Sequence, residues 1–544
     1  MDGSHKRHLL PWILLGALML VAAAVLLSLT AGFTFISDEW DLLLLRPGWA
    51  PDTLLEPFHE HIIIAPALIF KLLESVFGIG SPRPMQIAAL ATFLTTGLLL
   101  FVWLRPRVGD WPALIAAAIV LFLGAAFEDL LWAFQIGYFG SLACGIGALI
   151  ALDREDRRGD VAAAILLTGS MSFSSLGIPF ALGALVEWLM NPRDRRRRWF
   201  VPAVPLVFYA LWWLGWGHDA ESAVSASNIP DLPRYVFDMA SAGMTSMLGL
   251  ATGDGSEPDQ PHLIFGRIAL IVLLALAIWR LTKVGRIPRG VAVTGAIAIA
   301  FFALAALGHN ELRPPTASRY QLPAVIVILL VCGELLCGIR IPVPVIGLTA
   351  VVVFVTSLSG LSLMKDQADA RWKPSAASNR VSLGAIALAG PAARPDFVLD
   401  LVSVEVPIQR YRDEVESSGS PGFSEAEIAG MDAAYRALAD QTLIDVEGIQ
   451  LVGEDPGRRK GRCHVQRTDQ DDPVTVDTHP AQLSIQNLTG ADLGIGLARF
   501  GDPPGTQVGS IYPGSRAWLD FGADDVTRPW QVTVTGPARV RICG

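Results

Sequence analysis

What this sequence has little of is charge. Only 17% of its 544 residues are Asp, Glu, Lys or Arg, against 52% hydrophobic residues, and the mean hydropathy is +0.45. A soluble chain of this length carries about a quarter charged residues, so the shortage excludes an ordinary soluble enzyme and predicts a polytopic membrane protein. Cysteine is scarce as well. The five cysteines show no metal-ligand spacing, and Cys144, Cys332 and Cys337 lie within apolar runs, where they read as packing residues. Cys463 and Cys543 lie in the polar C-terminal part and are free to form a disulfide if that part is outside the cytoplasm. The net charge of −9 gives no basis for nucleic-acid binding, but it hides a division: basic residues gather in short loops of the apolar part, and acids dominate the last third.

The apolar runs set the organisation. Leu9 to Phe33 is long enough to cross roughly 30 Å of hydrocarbon as a helix, and Lys6 and Arg7 before it hold the N-terminus in the cytoplasm by the positive-inside bias. Further spans are predicted near 85–104, 112–126, 134–152, 161–175, 180–190, 201–216, 263–281, 291–307, 323–338 and 345–361, about eleven in all. Arg105, Arg107, Arg193, Arg195 to Arg198, Lys283, Arg286 and Arg289 mark cytoplasmic turns, so an odd number of spans puts the C-terminus outside. Serines and glycines in 161–175 suit a helix buried in the bundle. Two further stretches, 62–77 and 235–250, read as interfacial helices.

Beyond the last span, residues 362–440 read as an extracytoplasmic linker with helical pieces, Ser424 and Glu427 forming a capping-box pattern. Residues 441–544 alternate short β-branched runs with turn residues and predict an antiparallel β-sandwich, its last strand pinned if Cys463 joins Cys543. Asn487-Leu-Thr489 matches a glycosylation sequon.

Polar groups gather at the outer ends of the predicted spans. Asp38, Glu39 and Asp41 follow the first span, Glu128 and Asp129 sit between the third and fourth, and Arg313, Arg319 and Tyr320 precede the tenth. His59-Glu60-His61 lies in the long first outer loop, although two histidines two residues apart are weak evidence for a metal. Acids are costly to desolvate and repel one another, so such a cluster asks for a task. A carboxylate there can take the proton of a hydroxyl acceptor, while arginine forks hold a phosphate as it leaves.

An acidic pair after the first helix, a long first outer loop, an acid in the second outer loop and a late Arg-Tyr resemble the polyprenyl-phosphate-sugar-dependent glycosyltransferases of the GT-C superfamily, near the protein mannosyltransferase and aminoarabinose transferase branch. The resemblance covers about residues 1–361 and implies a mainly α, multi-helix membrane fold, a plasma (inner) membrane location and inverting displacement at the sugar carbon. It implies Asp38 as general base with Glu39 its neighbour. It implies Glu128 or Asp129 as the second-loop acid, and Arg319 and Tyr320 as phosphate or donor contacts; Asp41, His59, His61 and Arg313 are candidate substrate or donor contacts from their place beside these residues. The partners implied are a polyprenyl-phosphate sugar donor and an extracytoplasmic glycan, lipid or protein acceptor. No cofactor is assigned, and whether a divalent cation assists is left open. Asp41 as a third acid departs from the pattern. So does the β-rich tail, which is more like the carbohydrate-binding additions of mycobacterial arabinosyltransferases. Two other readings stand beside this one: a transporter or flippase of a lipid-linked or glycan substrate, and a catalytically idle glycan-binding subunit that keeps the fold.

Overall fold

The computed structural model describes residues 2–191, 195–251, 262–400, 404–454, 462–470, 472–478 and 482–544, with side chains from residue 9 onward. Arg193, part of the 218–262 loop and the side chains of Lys6 and Arg7 lie outside these. The chain forms two compact units. One comprises Met1–Ala31, Arg46–Leu72 and Arg83–Trp372, the other Gly32–Leu45, Leu73–Pro82 and Lys373–Gly544.

The first unit is helical. Every segment expected to span the membrane is a helix: Asp2–Leu29, Arg83–Val108, Asp110–Leu121, Ile136–Leu152, Arg157–Phe173, Gly177–Met190, Phe200–Gly215, Leu263–Val284, Arg289–Leu307, Gln321–Leu335 and Val343–Gln367. Among the described residues, eight stretches are long and apolar enough to cross a bilayer, so the chain is a polytopic, mainly helical membrane protein with a C-terminal β-sheet region. The remaining three, Arg157–Phe173, Gly177–Met190 and Phe200–Gly215, have 17, 14 and 16 residues. At 1.5 Å per residue they reach roughly 21–26 Å, short of the hydrocarbon thickness.

Arg157–Phe173 packs along Ile136–Leu152, as its small residues suggest. The Ser170 hydroxyl donates to the Ser141 carbonyl at 2.7 Å, and Thr168 and Ser172 donate to carbonyls one turn back in their own helix, so the hydroxyls are satisfied without breaking it. The arginine block does more than mark a membrane face. Arg198 is buried, with Nε 2.7 Å from Asp160 and Nη1 3.3 Å from Glu187, and Arg289 also pairs with Glu187, so three helices are tied at one end. At Gly124 the backbone passes so close to the Val343–Gln367 helix that an added Cβ would lie 1.7 Å from the Gly360 carbonyl oxygen. The expected interfacial helix at 235–250 is instead a packed one. Leu232–Met247 buries Tyr235, Asp238, Met239, Ser241, Thr245 and Ser246 against the helices at 263–284 and 321–335, because its hydroxyls bond inward to its own carbonyls. Ile64–Phe77 keeps an exposed apolar stripe at Leu68, Leu72 and Val76, the spacing of one helix face.

In the second unit, the turn at 33–45 packs Trp40 against Phe35 and Tyr411, and Arg410 donates to the Leu44 carbonyl at 3.2 Å. A short hairpin, β1 (Val398–Asp400) and β2 (Glu405–Pro407), precedes helices at Ile408–Ser418, Glu425–Ala429 and Ala433–Glu447, the second opened by the Ser424–Glu427 capping box. Eight strands follow: β3 (Cys463–Thr468), β4 (Val474–Thr478), β5 (Gln482–Gly490), β6 (Leu493–Ala498), β7 (Thr506–Ile511), β8 (Arg516–Asp520), β9 (Trp530–Thr535) and β10 (Ala538–Cys543). They form two antiparallel four-stranded sheets ordered β3-β10-β5-β8 and β4-β9-β6-β7. Leu483, Ile485, Val540 and Ile542 from one sheet and Leu493, Ile495, Val532 and Val534 from the other are buried, the alternation expected of a sandwich. Cys463 and Cys543 stand directly opposite on β3 and β10 and are bonded to each other. The sequon is not displayed: Asn487 is fully buried and donates to the Ala491 and Ile511 carbonyls at 2.8 and 3.0 Å.

Helix and sandwich are joined by buried charge. Asp440 accepts from the backbone N–H groups of Arg499, Phe500 and Gly501 at 2.9, 2.8 and 2.9 Å, and Arg499 Nη2 pairs with Asp524 at 3.1 Å. Glu447, at the end of the same helix, has both carboxyl oxygens buried. Burial, then the charge and hydrogen bond of Asp524, push its pKa up to about 8, with Arg499 opposing. In the unfolded chain this acid ionises near 4.5, so between about pH 4.5 and 8 the folded state binds the extra proton and stability falls as pH rises. Thermal melts of Glu447→Gln beside wild type should therefore show a higher Tm at pH 8.5 and nearly equal values at pH 5; parallel pH profiles would refute this origin.

Candidate functional site

The geometry begins in the long loop after the first helix. Arg46, buried, donates to the Glu56 and Pro57 carbonyls at 2.7 and 2.9 Å, and Lys71 donates to the carbonyl of Arg46. Trp212 adds a bond to the Leu55 carbonyl at 2.8 Å. Thus fixed, the chain turns tightly between Phe58 and His61, which exchange two backbone hydrogen bonds of 2.9 Å, with His59 at φ 48°. Histidine is among the residues that tolerate this left-handed conformation. The 59–61 stretch is a turn, and it aims Glu60 and His61 in one neighbourhood.

Glu60 forms an ion pair with Arg313, the two side chains retaining 16% and 21% exposure. Burial alone would raise the Glu60 pKa, but the hydrogen bond and charge of Arg313 help outweigh it, so the carboxylate stays below its ordinary range and ionised. His61 bonds to Ser175 at 3.0 Å through Nδ1, with Nε2 3.8 Å from Glu60. Burial pushes its pKa down to about 4; Glu60 opposes this, and Arg313, His59 and Arg319 add to it, so the ring is neutral near pH 7.

The loop before the 321–335 helix is held from two sides. Tyr235 donates to the Arg313 carbonyl at 2.8 Å and stacks on His309, with centroids 5.2 Å apart. Ser318 donates to the Ala125 carbonyl at 2.7 Å and accepts from the Glu128 N–H at 3.1 Å, while Glu128 accepts from the Arg319 N–H at 3.2 Å. Thus Glu128 and Arg319 are locked together. Arg319 also donates to the Leu312 carbonyl, its Nε is buried without a partner, and its guanidinium lies 5.9 Å from the Tyr320 ring. Asp129 is fully buried and neither carboxylate oxygen has a hydrogen-bond partner, although Glu128 and Arg319 act on it electrostatically. Tyr320 is within the same electrostatic reach of Arg313, Arg319, Glu60 and Glu128.

The helical unit therefore brings together His59, His61, Glu128, Asp129, Arg313, Arg319 and Tyr320. Asp38, Glu39 and Asp41 belong to the other unit. There the Ser37 hydroxyl donates to Asp38 at 3.0 Å, and the buried Glu39 carboxylate accepts the Ile36 N–H at 2.8 Å, closing the turn. Sequence reasoning did not select Glu60, Ser175, Ser318, Tyr138 or Tyr235. Glu60 was within the highlighted stretch, and its pairing with an arginine 253 positions later leaves no local signal. Tyr138, within electrostatic reach of Arg313, Arg319, Asp129 and Tyr320, is hidden in an apolar helix. Among the described residues, no three His, Cys, Asp or Glu side chains are grouped to hold a metal ion.

Chemically, two guanidiniums within electrostatic reach of the same groups, His61, Tyr138 and Tyr320, suit an anion of phosphate type, with Glu60 holding Arg313 in place. No family model and no curated protein matches the chain. Two solved structures of ArnT from Cupriavidus metallidurans are similar to it. The one bound to undecaprenyl phosphate is 14% identical with a TM-score of 0.43, covering 74% of this chain and 84% of that one. The apo form is 12% identical with a TM-score of 0.42, covering 76% and 89%.

Proposed function

We propose that the chain is an integral membrane glycosyltransferase that moves a sugar from a polyprenyl-phosphate donor to a hydroxyl of an extracytoplasmic glycan, lipid or protein. The observation that carries this reading is the gathering of Arg313 and Arg319 with Glu60, Glu128 and the unpartnered Asp129 beside helices long and apolar enough to seat a lipid-borne donor. The N-terminus is assigned to the cytoplasm, and the site and C-terminal unit to the outer face of a bacterial plasma membrane, where no nucleotide-sugar pool exists.

In this reading a first-loop carboxylate, Asp38, takes the acceptor hydroxyl proton. The acceptor oxygen forms a bond to the anomeric carbon as the carbon–oxygen bond to phosphate breaks. The electron pair goes to the phosphate oxygen, and Arg313 and Arg319 stabilise the polyprenyl phosphate that leaves. Glu39 neighbours the base, while Asp41, His59, His61, Glu128, Asp129 and Tyr320 are assigned to binding and orientation.

Purified protein given a panel of radiolabelled polyprenyl-phosphate sugars should bind one donor and release polyprenyl phosphate. Arg319→Ala should weaken donor binding about tenfold or more, the loss of a charge-assisted hydrogen bond, with a smaller effect on turnover at saturation. Failure of every donor to bind would discard the transferase reading in favour of a transporter.

A further inference from the structure

The outer face of the β3-β10-β5-β8 sheet carries a charge pattern that the proposed chemistry does not use. With Leu483, Ile485, Val540 and Ile542 turned inward, alternation turns Ser484, Gln486, Arg539 and Arg541 outward. Strand register sets Val465, Arg541, Gln486 and Arg516 side by side across all four strands, and Ser484 beside Trp518 in the next row. Arg539 stands directly opposite Arg467 on the edge strand. The four strands thus carry four arginines and one carboxylate, Asp520 at a corner, in a chain whose net charge is −9.

This arrangement opposes folding. Like charges directly across a strand pair are destabilising, and the Arg467–Arg539 pair has no carboxylate opposite either member. Gln486 Oε1 accepts from Arg516 at 2.9 Å and from Arg541 at 3.3 Å, which draws the guanidiniums of two strands, themselves two strands apart, onto one oxygen. Arg516 also lies 5.9 Å from the Trp518 ring. Val465 is the one large apolar side chain among the outward row, so a lipid surface has little to receive it. Arginine forks match carboxylates, the amide and hydroxyl side chains between them match sugar hydroxyls, and an indole offers a flat face to a pyranose ring.

We propose that this sheet face binds a carboxylate-bearing glycan, its carboxylates on Arg467, Arg516, Arg539 and Arg541 and a sugar ring against Trp518. The site is independent of the transfer reaction and would serve the chain whether or not the helical unit is a transferase.

The test uses full-length protein in neutral detergent with polygalacturonate as probe, dextran as the neutral control and phosphatidylglycerol vesicles as the lipid control. Wild type should bind polygalacturonate but not dextran, with affinity falling as NaCl is added. The double variant Arg516→Gln/Arg541→Gln should bind about tenfold or more weakly, the loss of two charge-assisted contacts. Arg394→Gln, at an exposed arginine that is on none of the four strands, should bind as wild type. An unchanged Tm and an intact disulfide would certify the fold of each variant. Equal affinity of the double variant and Arg394→Gln, no binding of polygalacturonate, or binding to the vesicles alone would overturn the proposal.

Discussion

Asp38→Asn should lower turnover by about 10²–10⁴ while leaving donor affinity within a few-fold of wild type, the signature of a lost general base. The comparison that gives this weight is with its neighbour. Glu39 is buried and accepts the Ile36 N–H, so Glu39→Ala should lower Tm by removing the acceptor that closes the turn on which both acids lie. The Ser37 hydroxyl bond that Asp38 accepts is retained by the Asn side-chain oxygen. A drop in turnover with unchanged Tm for Asp38→Asn, beside a drop in Tm for Glu39→Ala, would separate chemistry from architecture. Turnover of Asp38→Asn within tenfold of wild type, with donor bound, would remove Asp38 from the role.

Arg313→Ala should raise the donor Kd by roughly 30- to 1000-fold, because truncating one member of a largely buried pair typically costs about 2–4 kcal/mol and here also removes a phosphate ligand. It leaves the Glu60 carboxylate half-buried without its cation, where burial raises its pKa and any remaining charge repels phosphate. Glu60→Gln should behave oppositely, keeping or improving donor affinity because Arg313 then has no competing anion. Arg313→Lys should rescue little, since an ammonium lacks the fork. If both single substitutions lower Tm equally and neither changes donor Kd, the pair is a strut and the phosphate assignment fails.

The helical framework was legible because a hydrocarbon solvent demands long apolar runs, and each such run in this chain is a helix. The sandwich was legible from short alternating runs, with strands at Val474, Gln482, Trp530 and Ala538 near their expected places. Two kinds of information were out of reach. The 235–250 stretch looks interfacial because its serines and threonine read as polar, yet each hydroxyl bonds to a carbonyl one turn back and can be buried. The 59–61 turn has no periodic pattern; its shape comes from Arg46 and Lys71, which hold the backbone from 10 to 25 residues away. Glu128 and Arg319 were each singled out, but that the backbone N–H of Glu128 donates to Ser318 beside Arg319, and the Arg319 N–H to the Glu128 carboxylate, follows only from tertiary packing.

The close passage at Gly124 bears on how mutational data from this protein would read. Gly124 lies four residues before Glu128, and the carbonyl it meets belongs to a different helix. A methyl group at either glycine would push the two backbones apart and shift the acids next in sequence by a fraction of an ångström or more. In a selection for activity, such positions would score as strictly as a catalytic base though they touch no reactant. Intolerance at a site, in a protein built this tightly, measures how little slack the backbone has as much as it measures chemistry.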